Sequence, residues 1–271
     1  MIVVMLGLLG LCLGSFINAF TWRLHAGKVK TMLTDRSRCE HCHKTLGALE
    51  LIPVIGWVAL RGKCRHCKKP IGIEHPLFEL AVAAAFILSY VFWPRPLTEW
   101  YLITEFIIWL IMLVGVAALC IYDIRWYILP DVIVWPLVGL SILSAVLQFV
   151  TYQPYGPLVE TLQYHVFGLL PIAGLYWFIY TFSKGKLVGF GDVKLGIFIG
   201  LTLGWAKSLL VLFLANIVGS LIVLPLLMLK KVKRSTRIPF GPLLLIGFFI
   251  ASIWGDAIIN WYVTISFRLL P

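Results

Sequence analysis

Two aspartates stand where an apolar sequence can least tolerate them. Asp123 closes one long apolar run, in Asp123-Ile-Arg-Trp-Tyr-Ile-Leu-Pro-Asp131. Asp192 opens another, in Gly189-Phe-Gly-Asp192-Val-Lys194. An ionised carboxylate at the edge of hydrocarbon is costly and marks function by default. Two such groups brought together cannot both ionise cheaply, so they share a proton. One can then activate water while the other protonates a carbonyl oxygen or a leaving amine. That is the chemistry of an aspartyl protease. Gly189 and Gly191 would let an extended peptide backbone come close to Asp192. The plainer role for Asp192 is a helix N-cap. For Asp131, which follows Pro130 and precedes an apolar run, the cap is the preferred expectation. Asp256 and Glu105 lie towards the other end of their runs and are read as structural. Glu79 is one turn into its run and is kept as a site residue.

A second group of residues has metal-ligand spacing. Cys39-Glu-His-Cys42 and Cys64-Arg-His-Cys67 are separated by residues 43–63. A two-residue gap lets both sulfurs of each knuckle face one ion, and two knuckles complete a tetrahedron, which suits zinc. Four thiolates leave no open position for water, so the expected role is structural. Two disulfides are the alternative, but a cytoplasmic loop keeps its thiols reduced. His41, His43 and His66 are read as surface neighbours rather than ligands.

The elements that must position these groups are apolar helices. Of the 271 residues, 61% are hydrophobic and only 13% charged. A soluble domain is nearer half apolar with about a quarter charged, so the bilayer must be the solvent. The expected fold is all-α and polytopic, with about eight transmembrane helices and a zinc-binding cytoplasmic loop between the first two. The first span runs from Ile2 to Trp22 and lacks the basic start and small-residue cleavage site of a signal peptide. The others are expected near Pro76–Trp93, Tyr101–Tyr122, Asp131–Val150, Tyr164–Phe182, Asp192–Trp205, Ser208–Leu229 and Ile238–Phe267. The organisation expected is residues 1–22 as the first helix, 23–75 as the four-cysteine loop and 76–271 as the peptidase domain.

Charge orients these spans. The net charge is +11, concentrated in the loops at 23–75, 184–186 and 230–237. The intervening loops hold little beyond Arg95 and Lys207. The positive-inside rule puts the basic loops in the cytoplasm and both termini outside. Asp123 and Asp192 then fall at one depth on the cytoplasmic side. Basic residues flanking apolar spans suit anionic lipid head groups, and no nucleic-acid-binding motif accompanies them.

Taken in order, the motifs resemble the type IV prepilin peptidases, a family of bifunctional leader peptidases and N-methyltransferases. The resemblance covers nearly the whole chain. Gly14-Ser-Phe-Ile-Asn18 running on to Arg23 is similar to the family's opening. The two knuckles follow, with Glu50-Leu-Ile-Pro53 between them, and then His75-Pro76 and Glu79-Leu80. The segment from Asp123 to Leu129-Pro130-Asp131 resembles the first catalytic motif, and Gly189-Phe-Gly-Asp192-Val-Lys194 the second. Ile238-Pro-Phe-Gly-Pro242 resembles a C-terminal motif.

The resemblance implies an inner-membrane enzyme with Asp123 and Asp192 as catalytic dyad. Gly189, Gly191, Lys194, Pro130 and Asp131 would support it. Its substrate would be a prepilin or pseudopilin of a type IV pilus or type II secretion system. Cleavage would follow a glycine on the cytoplasmic face. The new N-terminus would then be methylated from S-adenosylmethionine, in a region that includes Asn18 and Glu79. Two other readings compete. A Gly-x-Gly-Asp intramembrane protease of the presenilin type would not be marked by the four-cysteine loop. A transporter would be expected to show internal repeats, and none of that kind is evident.

Overall fold

Apolar runs this long have one good solution in lipid, a helix that satisfies its own backbone. The computed structural model describes residues 1–28, 36–39, 41–152, 158–230 and 239–269. Among them the regular structure is helical, with two isolated β-bridges. Seven helices are long and apolar enough to cross a membrane. Ile238, which opens both the last expected span and the C-terminal motif, lies outside the described residues, as do Lys231, Lys233, Arg234 and Arg237. The chain divides into two units, Met1–Trp93 and Pro94–Pro271.

The first unit is a helix pair with a loop folded at one end. Helix α1 (Ile2–His25) packs along α3 (Glu74–Val91), with the short α2 (Ile55–Ala59) in the intervening segment. Lipid offers no hydrophobic drive for this pairing, so close backbone contact must supply it. Gly10 and Gly14 make that contact, and Gly7 lies against the Ile87 side chain. A Cβ at Gly10 would stand 2.6 Å from the Ala83 Cα, and one at Gly14 2.8 Å from the Glu79 Cα. The partners descend in number as the glycines ascend, so the two helices are antiparallel.

The second unit contains α4 (Trp100–Trp126), α5 (Asp131–Tyr152), α6 (Leu158–Gly168), α7 (Leu175–Ser183), α8 (Phe190–Met228) and α9 (Gly241–Leu269). A π-turn at Leu170–Gly174, containing Pro171, joins α6 to α7. That makes one span of Leu162–Ser183. At the centre, Phe248 of α9 packs between Trp109 of α4 and Phe198 of α8, with ring centroids 5.6 and 4.9 Å away.

Helix α8 is 39 residues long. Straight, it would reach about 58 Å, nearly twice a hydrocarbon core of about 30 Å. It is not straight. Gly204 has φ 70° and ψ −177°, a conformation open essentially to glycine alone. The contacts on either side run in opposite senses. Before Gly204, Phe198 meets Phe248 of α9, and the Leu129 side chain touches both Gly191 and Gly241. After it, Lys207 pairs with Asp256, Val211 lies against Gly247 and Gly219 against Leu243. The first limb therefore runs parallel to α9 and the second antiparallel. The sixth and seventh expected spans are the two limbs of this one folded helix.

Polar side chains seal the bend. The Tyr164 hydroxyl donates to the Leu203 carbonyl at 2.5 Å, and His165 Nδ1 lies 2.6 Å from the Leu201 carbonyl oxygen. Carbonyls at a helix end need such partners inside a membrane. Glu105 is buried too. It is paired with Arg95 and accepts from Gln148 Nε2 at 2.6 Å. Its structural assignment follows from these partners, and Asp256 is likewise matched by Lys207 at 2.7 Å.

Gly204→Ala tests the bend. The added Cβ would sit 2.2 Å from the Tyr164 ring, on a backbone that alanine avoids. The backbone conflict alone costs about 1–3 kcal/mol. We expect a clearly lower Tm in detergent. Gly139→Ala, where a Cβ meets nothing within 4 Å, should be neutral. Equal Tm values for the two variants would contradict the reversal.

Candidate active site and metal centre

Three helix ends meet around Asp123. Helix α4 stops just beyond it because Tyr127 turns left-handed, at φ 57°, and its N–H bonds back to the Asp123 carbonyl at 2.9 Å. The Asp123 side chain is buried, and its carboxylate accepts the backbone N–H of Gly241, the first residue of α9. Gly241 has no room for a side chain, since a Cβ there would lie 2.5 Å from Asp123 Oδ2.

Asp192 is placed by the start of α8. Gly189 is the N-cap, with extended φ −76° and ψ 150°. Asp192 is therefore the third helical residue rather than the cap. Its carboxylate reaches back to the Gly189 backbone N–H, and its own N–H donates to the Gly189 carbonyl at 3.1 Å. Each aspartate thus faces a helix N-terminus, where unpaired N–H groups carry partial positive charge. The two carboxylates are close enough for their charges to interact.

Gly191 and Gly189 differ. A Cβ at Gly191 would press on Leu129 at 3.1 Å, whereas one at Gly189 would make ordinary contacts, 3.7 Å from Asp192 Oδ2 and 4.0 Å from the Gly191 nitrogen. Gly191 admits the Leu129 side chain, and Gly189 lies next to the Asp192 carboxylate without crowding.

Pro130 and Asp131 start α5. The Pro130 carbonyl accepts from the N–H groups of Ile133 and Val134 at 3.0 and 3.1 Å, so the capping position is Pro130 and Asp131 opens the helix itself. The carboxylate of Asp131 has a different partner, the Lys194 ammonium. The cap expected for Asp131 is corrected accordingly.

One neighbour went unnoticed in the sequence. Tyr176 of α7 is buried, packs edge-on to Phe240 at 6.2 Å and lies within electrostatic reach of Asp192. Within an apolar span it is one of 10 tyrosines, with no motif to single it out.

The four cysteines of the first unit form a separate site. All four sulfurs lie within 4.8 Å of one another, and Cys39 Sγ and Cys67 Sγ are 3.8 Å apart. Sulfurs about 2.3 Å from a tetrahedral zinc stand about 3.8 Å apart, so the donor set fits a four-coordinate ion. His41, His43 and His66 are exposed and contribute no donor to the cluster.

The knuckles are a structural duplicate offset by 25 positions. Cys39 N–H bonds to the Lys44 carbonyl and Cys64 N–H to that of Lys69. His43 N–H returns to Cys39 and Lys68 N–H to Cys64. Bridges close each turn, Arg38 to Thr45 and Lys63 to Pro70, and His43 and Lys68 both have positive φ. The sequence carries the match as Cys-x-His-Cys-x-Lys-x-(Leu/Ile)-Gly, at 39–47 and 64–72. In the second turn, amides aim at the sulfurs, that of Lys69 at Cys67 and those of Cys67 and His66 at Cys64. The backbone N–H groups of Cys67 and His66 pull the Cys64 thiol down to about 7, towards the thiolate that binds metal.

Glu79 ties the segment between the knuckles to α3. It is buried, and its Oε2 accepts the Val54 N–H at 2.7 Å. Val54 has φ 60°, rare for a β-branched residue, so that hydrogen bond holds a strained turn. Asn18 is buried on α1, one turn beyond the Gly14–Glu79 crossing, with Nδ2 donating to the Gly14 carbonyl at 3.3 Å.

Comparison with known proteins places the chain among leader peptidases. Residues 8–93 match the bacterial peptidase A24 N-terminal domain, and residues 106–224 match the type IV leader peptidase family. A protein of Aeromonas hydrophila named prepilin leader peptidase/N-methyltransferase is 33% identical over 86% of this chain and 76% of its own. One of the same name from Stutzerimonas stutzeri is 31% identical over 94% and 91%. A third, from Pseudomonas aeruginosa, is 30% identical over 94% and 91%. No solved structure matches.

Proposed function

Because this chain belongs to the type IV leader peptidase family, we propose that it removes the basic leader of type IV prepilins or pseudopilins with an Asp123–Asp192 dyad and then methylates the new N-terminus. Membership makes it a multi-pass inner-membrane peptidase with prepilin substrates. The observation that carries the finer reading is the convergence of two carboxylates, borne on different helices, at one end of the second unit.

The dyad works as an acid and a base. With one proton between them, the ionised carboxylate takes a proton from water as it attacks the scissile carbonyl. The protonated one gives its proton to the leaving amine. The missing side chain at Gly189, next to the Asp192 carboxylate, supports the approach of an extended backbone. Cleavage after a glycine is what the family resemblance implies, and the cytoplasmic face is supported by the Lys- and Arg-rich loops. Those loops orient the chain with both termini outside and meet anionic lipid rather than nucleic acid.

Zinc held by Cys39, Cys42, Cys64 and Cys67 has a structural part, closing the loop of the first unit. Methyl transfer from S-adenosylmethionine belongs to that unit in this reading. Support comes from the buried polar groups Asn18 and Glu79 on its helix pair, where apolar side chains would be cheaper.

Mass spectrometry of a prepilin incubated with the purified protein tests the whole reading. Without the methyl donor, the product should lose the leader at a glycine. With S-adenosylmethionine it should gain one methyl group on the new N-terminus. An uncut prepilin, or cleavage elsewhere, would overturn the reading.

A further inference from the structure

The linker between α4 and α5 begins at one aspartate and grips the helix turn that bears the other. Tyr127 N–H is fastened to the Asp123 carbonyl at 2.9 Å. Two residues later, Leu129 lies against Gly191, within 3.1 Å of where a Cβ would stand, and also meets Gly241 at 3.7 Å. Two residues further, Asp131 is ion-paired with Lys194. On a helix, positions 191 and 194 share one face while 192 lies about 100° away from 191 and about 200° away from 194. The linker therefore holds one side of the first turn of α8 and leaves Asp192 free on another.

We propose that Leu129 and the Asp131–Lys194 ion pair form a strap that sets the spacing of the two aspartates, with Lys194 and Asp131 acting as positioning residues rather than catalytic ones. This inference rests on the dyad reading above. Lys194 suits the part. Its side chain is only 14% exposed, and its ammonium lies 5.1 Å from the centre of the Phe190 ring. It is thus fixed to α8 before it reaches across to Asp131. Asp131 is 58% exposed, so the pair reaches the surface at its Asp131 end. Misplacing a catalytic group by about 1 Å costs up to about a hundredfold in rate. A strap that fails should therefore appear in kcat and not in substrate binding.

The test is a double-mutant cycle on cleavage of a prepilin substrate by the full chain. Lys194→Met and Asp131→Asn should each lower kcat by about ten- to a hundredfold, with KM and Tm little changed. The double variant should be no worse than either single, because the second change removes a partner already lost. The reversed pair, Asp131→Lys with Lys194→Asp, should recover much of kcat. Three results would overturn the strap: singles within about twofold of the parent, losses that multiply in the double variant, or a raised KM at unchanged kcat. Asp123→Asn measured alongside separates the two ideas. If that variant cleaves normally, the dyad reading fails. If it is inactive while the strap variants are normal, the strap alone fails.

Discussion

Asp123→Asn and Asp192→Asn will each reduce prepilin cleavage by about a thousandfold or more, while the protein stays folded. Asparagine preserves the shape and one acceptor oxygen, so the bonds from Gly241 N–H and Gly189 N–H can persist. What it cannot do is exchange a proton. Losing one member removes either the base or the acid, and each is worth about 10²–10⁴-fold. Alanine is a poorer probe at Asp123, because it would leave the Gly241 N–H unpaired at a buried site and confuse stability with chemistry. Turnover of a synthetic prepilin, measured beside Tm, decides the matter. Asp131→Asn is the control that discriminates. It should keep measurable turnover, since its carboxylate points to Lys194. If Asp131→Asn is as inactive as Asp123→Asn at equal stability, the dyad has been wrongly assigned.

The legible parts of this chain were those where chemistry conflicts with surroundings. A carboxylate at the end of an apolar run stands out, and so do four cysteines in a basic loop. The partners of those groups were harder to see. Asp123 is held by the Gly241 N–H, and every residue but proline offers a backbone N–H, so sequence says nothing about which one is used. Lys194 is 63 positions from Asp131. Without that partner in view, a helix cap was the natural role for an aspartate after proline. The duplicated knuckle is legible in residues 39–47 and 64–72, where a histidine, a lysine and a glycine recur at matching positions around the cysteines. The α8 reversal was partly legible. Spans were expected at Asp192–Trp205 and Ser208–Leu229, which put the break just after Gly204, and what the sequence hid was that Gly204 itself turns the chain.

Cys64→Ser will release the metal, open the loop of the first unit to proteases and cost methylation more than cleavage. Zinc bound by three thiolates and a hydroxyl is far weaker than zinc bound by four thiolates. In so small a loop, metal binding is folding energy. Among the described residues, each knuckle is held by few hydrogen bonds besides its sulfurs, so little remains when the ion leaves. The four sulfurs and the pair of buried polar side chains Asn18 and Glu79 all lie in the first unit, and both aspartates lie in the second. The Val54 turn connects the loop to Glu79, so disorder in the loop reaches the face assigned to methyl transfer. Asp123 and Asp192 are held by the N–H groups of Gly241 and Gly189, all within the second unit. Elemental analysis should give one zinc per chain for the parent and less for the variant. Limited proteolysis should cut the variant between 28 and 74. With a prepilin and S-adenosylmethionine together, mass spectrometry should show product that is cut but largely unmethylated. A metal-free parent preparation, made in reductant without chelator, would refute the zinc site. Equal loss of both activities in a folded variant would instead show that the loop also receives the substrate.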